Sequence, residues 1–405
     1  MHPSGERENS ARAGTTLRRL GGRLAYAARM IPWYAWHRLT RPATPNPVHL
    51  IIALADHFEP AVAHGSGPAR VGYDEQERRL ERWCREYPKL VEGWRDHDDR
   101  PLAHTYFYPA EQYDRALVER LADHCHAGWG EIEIHLHHGM TVPDTAQNTA
   151  RMLTEFRDKL AGAHQCLSYL DGSGTPQYAF VHGNFALANS AGGRGCGVDS
   201  EMQVLAETGC YADMTLPAAP FHKAQTVKIN SLYECGLPLQ RRAAHARGRD
   251  LARGRTPAFP LIVQGPFLFD LKASARSQLI ENGALTAVNP PTLHRLCLWK
   301  QAAICVQGQP DWLFIKLHCH GMDPTQEDVM LGASLRNFLC DLVEGAPQRG
   351  EFLHFVTARE MVNVILAACE GREGDPGGFR DYRFKSQRTD LAASRSTGFR
   401  RLAKG

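Results

Sequence analysis

The chain has 405 residues, of which 43% are hydrophobic and 22% charged, with 36 Gly, 24 Pro and 11 Cys. That length buries a substantial core without disulfides or a structural metal, and the composition excludes collagen, coiled coil and wholesale disorder. No uncharged apolar run of about 18 residues occurs, so no membrane-spanning helix is expected. The length fits two or three domains, or one α/β barrel carrying insertions.

The cysteines are odd in number, scattered, and form no Cys-x-x-Cys pair. This argues against a disulfide framework or a zinc ribbon and for a reducing, cytoplasmic setting. The formal net charge of +3 conceals an asymmetry. Residues 1–45 carry eight Arg against two Glu, and 372–405 carry nine basic against four acidic side chains, which leaves 46–371 at −8. A mildly acidic body with basic ends is not the footprint of a nucleic-acid-binding domain, so no nucleic-acid partner is expected.

Within the basic segment 1–45, residues 16–38 space Leu17, Leu20, Leu24 and Ile31 as one helical face, interleaved with arginines and followed by Trp33, Tyr34 and Trp36. Such an amphipathic helix either lies on an anionic surface, here the inner membrane face, or packs on its own domain. From Pro47 onward, short β-branched or aromatic runs alternate with helical patterns, the signature of α/β architecture. The spacing predicts strands at Val48–Ala55, His104–Tyr108, Glu131–His138, Tyr178–His182, Cys210–Met214, Trp312–His320 and Phe352–Val356. Helices are expected at Tyr73–Asp96, Glu111–Cys125, Thr145–Leu167, Ser200–Thr208, Thr292–Val306, Gln326–Glu344 and Ala358–Glu370. The body is thus 46–371, with an irregular insertion at 216–290, and 372–405 reads as a basic, poorly ordered tail.

In a parallel α/β barrel the reactive groups gather at the carboxyl ends of the strands. Here those ends read Asp56-His57-Phe58-Glu59, His135-Leu136-His137-His138, His182-Gly183-Asn184 and His318-Cys319-His320. Alternation along the third strand puts Glu131, Glu133, His135 and His137 on one face and His138 on the other; His318 and His320 likewise share a face. Imidazoles with a carboxylate suit Zn2+ or another divalent metal.

The run Glu131-Ile132-Glu133-Ile134-His135 resembles a conserved stretch of the NodB-like polysaccharide deacetylases, whose fold is a distorted (β/α)7 barrel. Ala55-Asp56-His57 resembles their first motif, the stretch near Val181–Asn184 ahead of Cys210–Asp213 stands at their substrate-groove motif, and Phe314–His320 resembles their last. The resemblance spans about 47–370 and points to a divergent bacterial branch. It implies a metal-dependent hydrolase that removes acetyl groups from a carbohydrate in envelope or exopolysaccharide metabolism. In that reading Asp56 is the base, with Glu59 as an alternative base or ligand. The metal is held by His57, His135 and either His137 or His138, and His318 or His320 is the acid. His182, Asn184, Arg295 and Trp299 would contact substrate, with Arg295 or His182 replacing the groove Arg; Trp299, Tyr108 and Trp312 are candidate sugar platforms. The chain departs from the pattern at His57, where the family has Asp, and at Gly139, where it has the second His. Two other readings stay open: a glycoside hydrolase using Asp56 or Glu59 with Asp213, and a non-catalytic relative that binds a glycan or a metal.

Overall fold

The computed structural model describes residues 31–63, 70–216, 228–273 and 279–386. The strands are β1 (Val48–His57), β2 (His104–Pro109), β3 (Gly130–Leu136), β4 (Ser168–Leu170), β5 (Tyr178–His182), β6 (Cys210–Asp213), β7 (Leu232–Glu234), β8 (Arg249–Asp250), β9 (Leu261–Val263), β10 (Leu268–Phe269), β11 (Ile280–Glu281), β12 (Trp312–Cys319), β13 (Glu351–Phe355) and β14 (Phe384–Ser386). The helices are α1 (Tyr73–Val91), α2 (Arg115–His124), α3 (Ala146–His164), α4 (Glu201–Thr208), α5 (Leu293–Gln301), α6 (Glu327–Leu331), α7 (Ala333–Gly345) and α8 (Ala358–Cys369), preceded by a helical segment at 31–40. Side-chain oxygens set several starts: Asp114 accepts from the Leu117 N–H, Thr145 from Asn148, and Thr357 forms a capping box with Glu360.

A ten-stranded sheet forms the centre. Seven strands run parallel in the order β12-β1-β2-β3-β5-β6-β9, and β7 and β8 continue the path antiparallel. β13 pairs with the first half of β1, Val48–Ile52, and β2 with its end, Leu54–His57. The fold is therefore α/β on a mostly parallel sheet, with β12 and β8 at the two ends of the path among the described residues.

Each face of the sheet has its own core. Leu50, Ile52, Leu54, Ile132, Ile134, Leu136, Phe180 and Leu317 pack with Trp83, Leu117, Leu153 and other residues of α1–α3. The opposite parity, Ile51, Ala53, Ala55, Phe107, Val181 and Phe314, packs with Met361, Val362 and Ile365 of α8. All twelve residues of α8 are buried, so this helix fills the lower part of the face that a barrel would turn inward.

Three sequence expectations change. The helix expected at 326–344 breaks at Gly332, whose extended backbone separates α6 from α7. The insertion 216–290 carries five short strands, β7 to β11. The tail is only partly a tail: β14 pairs antiparallel with β4, Phe384 is fully buried, and Arg380 donates to Asp96 and Asp98. Residues 387–405 lie outside the described residues, as do 1–30. Of the amphipathic segment 16–38, only 31–38 is described: there Trp33 and Tyr34, with Phe269 and Ile280, pack against Ile229 and Phe267, while Trp36 is exposed. No described helix is long and apolar enough to cross a membrane.

Candidate metal centre

Strand parity decides which polar side chains meet. Above α8, on its face of the sheet, the ends of β1, β3 and β12 bring His57, His135, His137, His318 and His320 together. The His57 ring centroid lies 4.8 Å from that of His135, 4.6 Å from His320 and 6.2 Å from His318; His135 and His137 meet edge to face at 4.7 Å. Lower on β3 the same face is spent structurally. Glu131 pairs with Arg359 of α8, and Glu133 accepts from the Tyr211 hydroxyl and from the Ala179 N–H.

Glu59 completes the upper group. Its Oε1 lies 3.1 Å from His137 Nε2 and 3.9 Å from His135 Nε2. His135 Nδ1 donates to the Val181 carbonyl at 2.9 Å, so the neutral ring presents a lone pair on Nε2. That Nε2 is buried and has no hydrogen-bond partner. His137 Nδ1 donates to Glu111 Oε1 at 2.7 Å, and the His137 backbone N–H to Glu111 Oε2 at 3.2 Å. Carboxylate and carbonyl partners of this kind fix the tautomer of metal-binding histidines. Glu59, His135 and His137 thus present converging donor atoms suited to a divalent ion.

The electrostatics follow from burial and neighbours. Burial, with the surrounding imidazoles, presses His57 and His135 well below the ordinary histidine value; burial and Lys316 do the same to His318. His137 moves the other way. Burial disfavours its charge, but the hydrogen bonds it donates to the Glu111 and Glu59 carboxylates outweigh that and raise it to about 9.

Other expected site residues lie elsewhere. Asp56, one residue from His57, points to the opposite face, where Oδ2 accepts from His104 Nε2 at 2.9 Å and Oδ1 from the Gly321 N–H at 2.7 Å. The expected base is therefore a buried structural carboxylate away from the imidazole group. His138 and His182 also take the outer parity, joining Cys196 and Glu201 in a separate buried cluster. Of the two choices for the second β3 ligand, His137 is the one that reaches the centre. Asn184 Nδ2 donates to the Gly195 carbonyl at 3.2 Å. Arg295 is consumed by Glu281, at 2.6 and 2.8 Å, and by backbone carbonyls, which pin the segment that pairs with His318. Trp299, Tyr108 and Trp312 are buried core residues without a face open to a sugar. Phe185, tilted over His57 at 5.3 Å, is the aromatic beside the centre.

Sequence reasoning missed Glu111. Its signal is position: it follows the end of β2 at Pro109-Ala110, where βα loops supply reactive groups, although the helical spacing of 111–125 reads it as a helix start. Against protein-family models and against curated proteins, the sequence has no match.

Proposed function

We propose that the protein is a metal-dependent hydrolase that removes acetyl groups from a carbohydrate, built on an opened form of the distorted (β/α)7 barrel and acting in bacterial envelope or exopolysaccharide metabolism. The observation that supports this most is His135 Nε2: buried, unpartnered, held as a lone-pair nitrogen by the Val181 carbonyl, and facing Glu59 beside His137. Zinc or another divalent metal fits that donor set, with Glu59, His135 and His137 holding it and Glu111 fixing His137. When bound, the ion supplies Lewis acidity to an acyl carbonyl and lowers the pKa of water.

The chain's own groups do the rest. His57, whose ring stands 4.8 Å from that of His135 beside the proposed ligands, is the group placed to accept the proton of the attacking water. That role passes to it because Asp56 faces away. Of the two candidate acids His320 is the better placed to protonate a departing amine or hydroxyl, since its ring stands 4.6 Å from that of His57 and the ring of His318 6.2 Å from it. The His318 main chain is tied to the neighbouring segment, its N–H donating to the Gly283 carbonyl and its carbonyl accepting from the Leu285 N–H. Acyl group and water thus give acetate and a free amine or alcohol.

The test is elemental analysis of wild type and His135→Ala, together with acetate release from N- and O-acetylated oligosaccharides. The variant is expected to lose one divalent ion per chain and all metal-dependent acetate release. Equal metal content in the two proteins would overturn the assignment.

A further inference from the structure

Behind the sheet, on the face that packs against α1–α3, four chemically soft or hard donors meet in a place the proposed hydrolase does not use. His138 follows β3, His182 ends β5, Cys196 lies in the loop 183–200, and Glu201 opens α4. All four are buried, and one ligand atom from each lies within 4.8 Å of the others. His138 Nε2 stands 2.9 Å from Glu201 Oε1 and 3.1 Å from His182 Nε2. His182 Nε2 is 3.5 Å from the same oxygen, and Cys196 Sγ is 3.6 Å from Glu201 Oε2. Donors bound at roughly 2.0–2.3 Å around a tetrahedral zinc stand about 3.3–3.8 Å apart, so small outward shifts would admit the ion.

From these positions we infer a second metal site, distinct from the Glu59–His135–His137 centre: a structural zinc-type site of His138, His182, Cys196 and Glu201. Three donors are oriented for it. His138 Nδ1 is committed to Asp144 Oδ2 at 3.0 Å, which aims Nε2 at the cluster. Glu201 is held by the Ala188 N–H at 2.5 Å, and Cys196 is enclosed by its own loop. His182 joins as the fourth when its proton moves from Nε2 to Nδ1 and the Asn184 N–H, now donating to Nδ1 at 3.1 Å, turns away. One divalent ion replaces two protons, that of the Cys196 thiol and the one shared by His138 and Glu201, and both pass to solvent.

The site gives a reason for the loop. Residues 183–200 contain five glycines and only a single 3₁₀ turn, Leu187–Asn189, yet Ala186, Leu187, Ala188 and Cys196 are buried. A closed four-ligand site ties this irregular segment to β3, β5 and α4 and contributes directly to folding.

The two centres differ in one donor, and the test uses it. The full-length protein is stripped with a chelator and reconstituted with Co(II). Only a site containing Cys gives near-ultraviolet thiolate-to-cobalt absorption. Wild type is expected to take up two ions per chain and show that band; Cys196→Ser keeps one ion and loses the band; His135→Ala keeps one ion and the full band. One ion without a thiolate band in wild type would overturn the second site and leave the first standing. One ion with the band would do the reverse. A Cys196→Ser protein that keeps two ions and the band would also overturn it, and the wild-type spectrum decides should that variant fail to fold.

Discussion

Glu111 grips His137 at two points, the ring nitrogen and the backbone N–H, so it sets both where the ring stands and which nitrogen carries the proton. Glu111→Gln keeps the volume and removes the charge. Because such outer carboxylates usually govern metal affinity by about 10–100-fold, the variant should bind zinc more weakly by that factor in competition with a chromophoric chelator; unchanged affinity would show that Glu111 does not orient the ligand. A second residue-scale outcome concerns acid stability. His124 is buried, its Nε2 shares a hydrogen bond with the Tyr106 hydroxyl at 2.9 Å, and burial with nearby His104 lowers it to about 4. The unfolded chain binds a proton near pH 6.5 and the folded one only near 4, so stability is full above 6.5 and falls as pH drops through that window. The total is about 3 kcal/mol. Urea unfolding of His124→Gln at pH 4.5 and 7 should show a smaller acid loss than wild type; an equal loss would refute the argument.

At the scale of elements, α8 and the pleat together divide the chemistry. The capping box at Thr357 has an extra duty, since the same hydroxyl donates to Glu131 Oε2 at 2.7 Å and so joins α8 to β3. Thr357→Ala should therefore cost about 1–2 kcal/mol in urea denaturation, and a loss within about 0.5 kcal/mol of zero would show that the cap is dispensable. Most of the elements were legible from hydrophobic runs: β5 and α4 match their expected spans closely, because an apolar strand and a glycine stop leave little choice. The pairing of His135 with His137 and of His318 with His320 was legible too, since alternation is a property of the strand itself. Asp56 was misplaced for the same reason: adjacent residues on a strand cannot share a face, and a motif match had put Asp56 and His57 in one site. β7–β11 were not legible because strands of two or three residues have no period to read. The burial of α8 against the inner face depends on long-range packing, which an amphipathic pattern does not specify.

Over the whole molecule, the stretch after α8 closes back on the loop after α1. Arg380 is buried among Asp96, Asp98 and the Phe355 carbonyl, linking the loop after α1 to the stretch that follows α8. Composition suggested a loose tail here, because a basic stretch looks solvated until its acidic partners, about 280 residues away, are brought beside it. Removing one member of a buried ion cluster leaves the others uncompensated, at a cost of about 3–5 kcal/mol. Arg380→Ala should lose that much in urea unfolding and expose residues 372–386 to protease before the rest; wild-type resistance would mean that the segment is held by Phe384 alone.

The turn at His182-Gly183 has a consequence for communication. Gly183 has no side chain, and a Cβ there would overlap the His137 ring, so the inner centre rests directly on the backbone that carries His182. His137 and His138 repeat the arrangement just after β3, adjacent in the chain and joining opposite clusters. The inner and outer clusters are therefore separated by a partition one polypeptide thick, joined twice through covalent bonds. Any coupling this partition transmits is bound by thermodynamic reciprocity: whatever factor occupancy of the outer cluster applies to affinity at the inner one, the inner one returns.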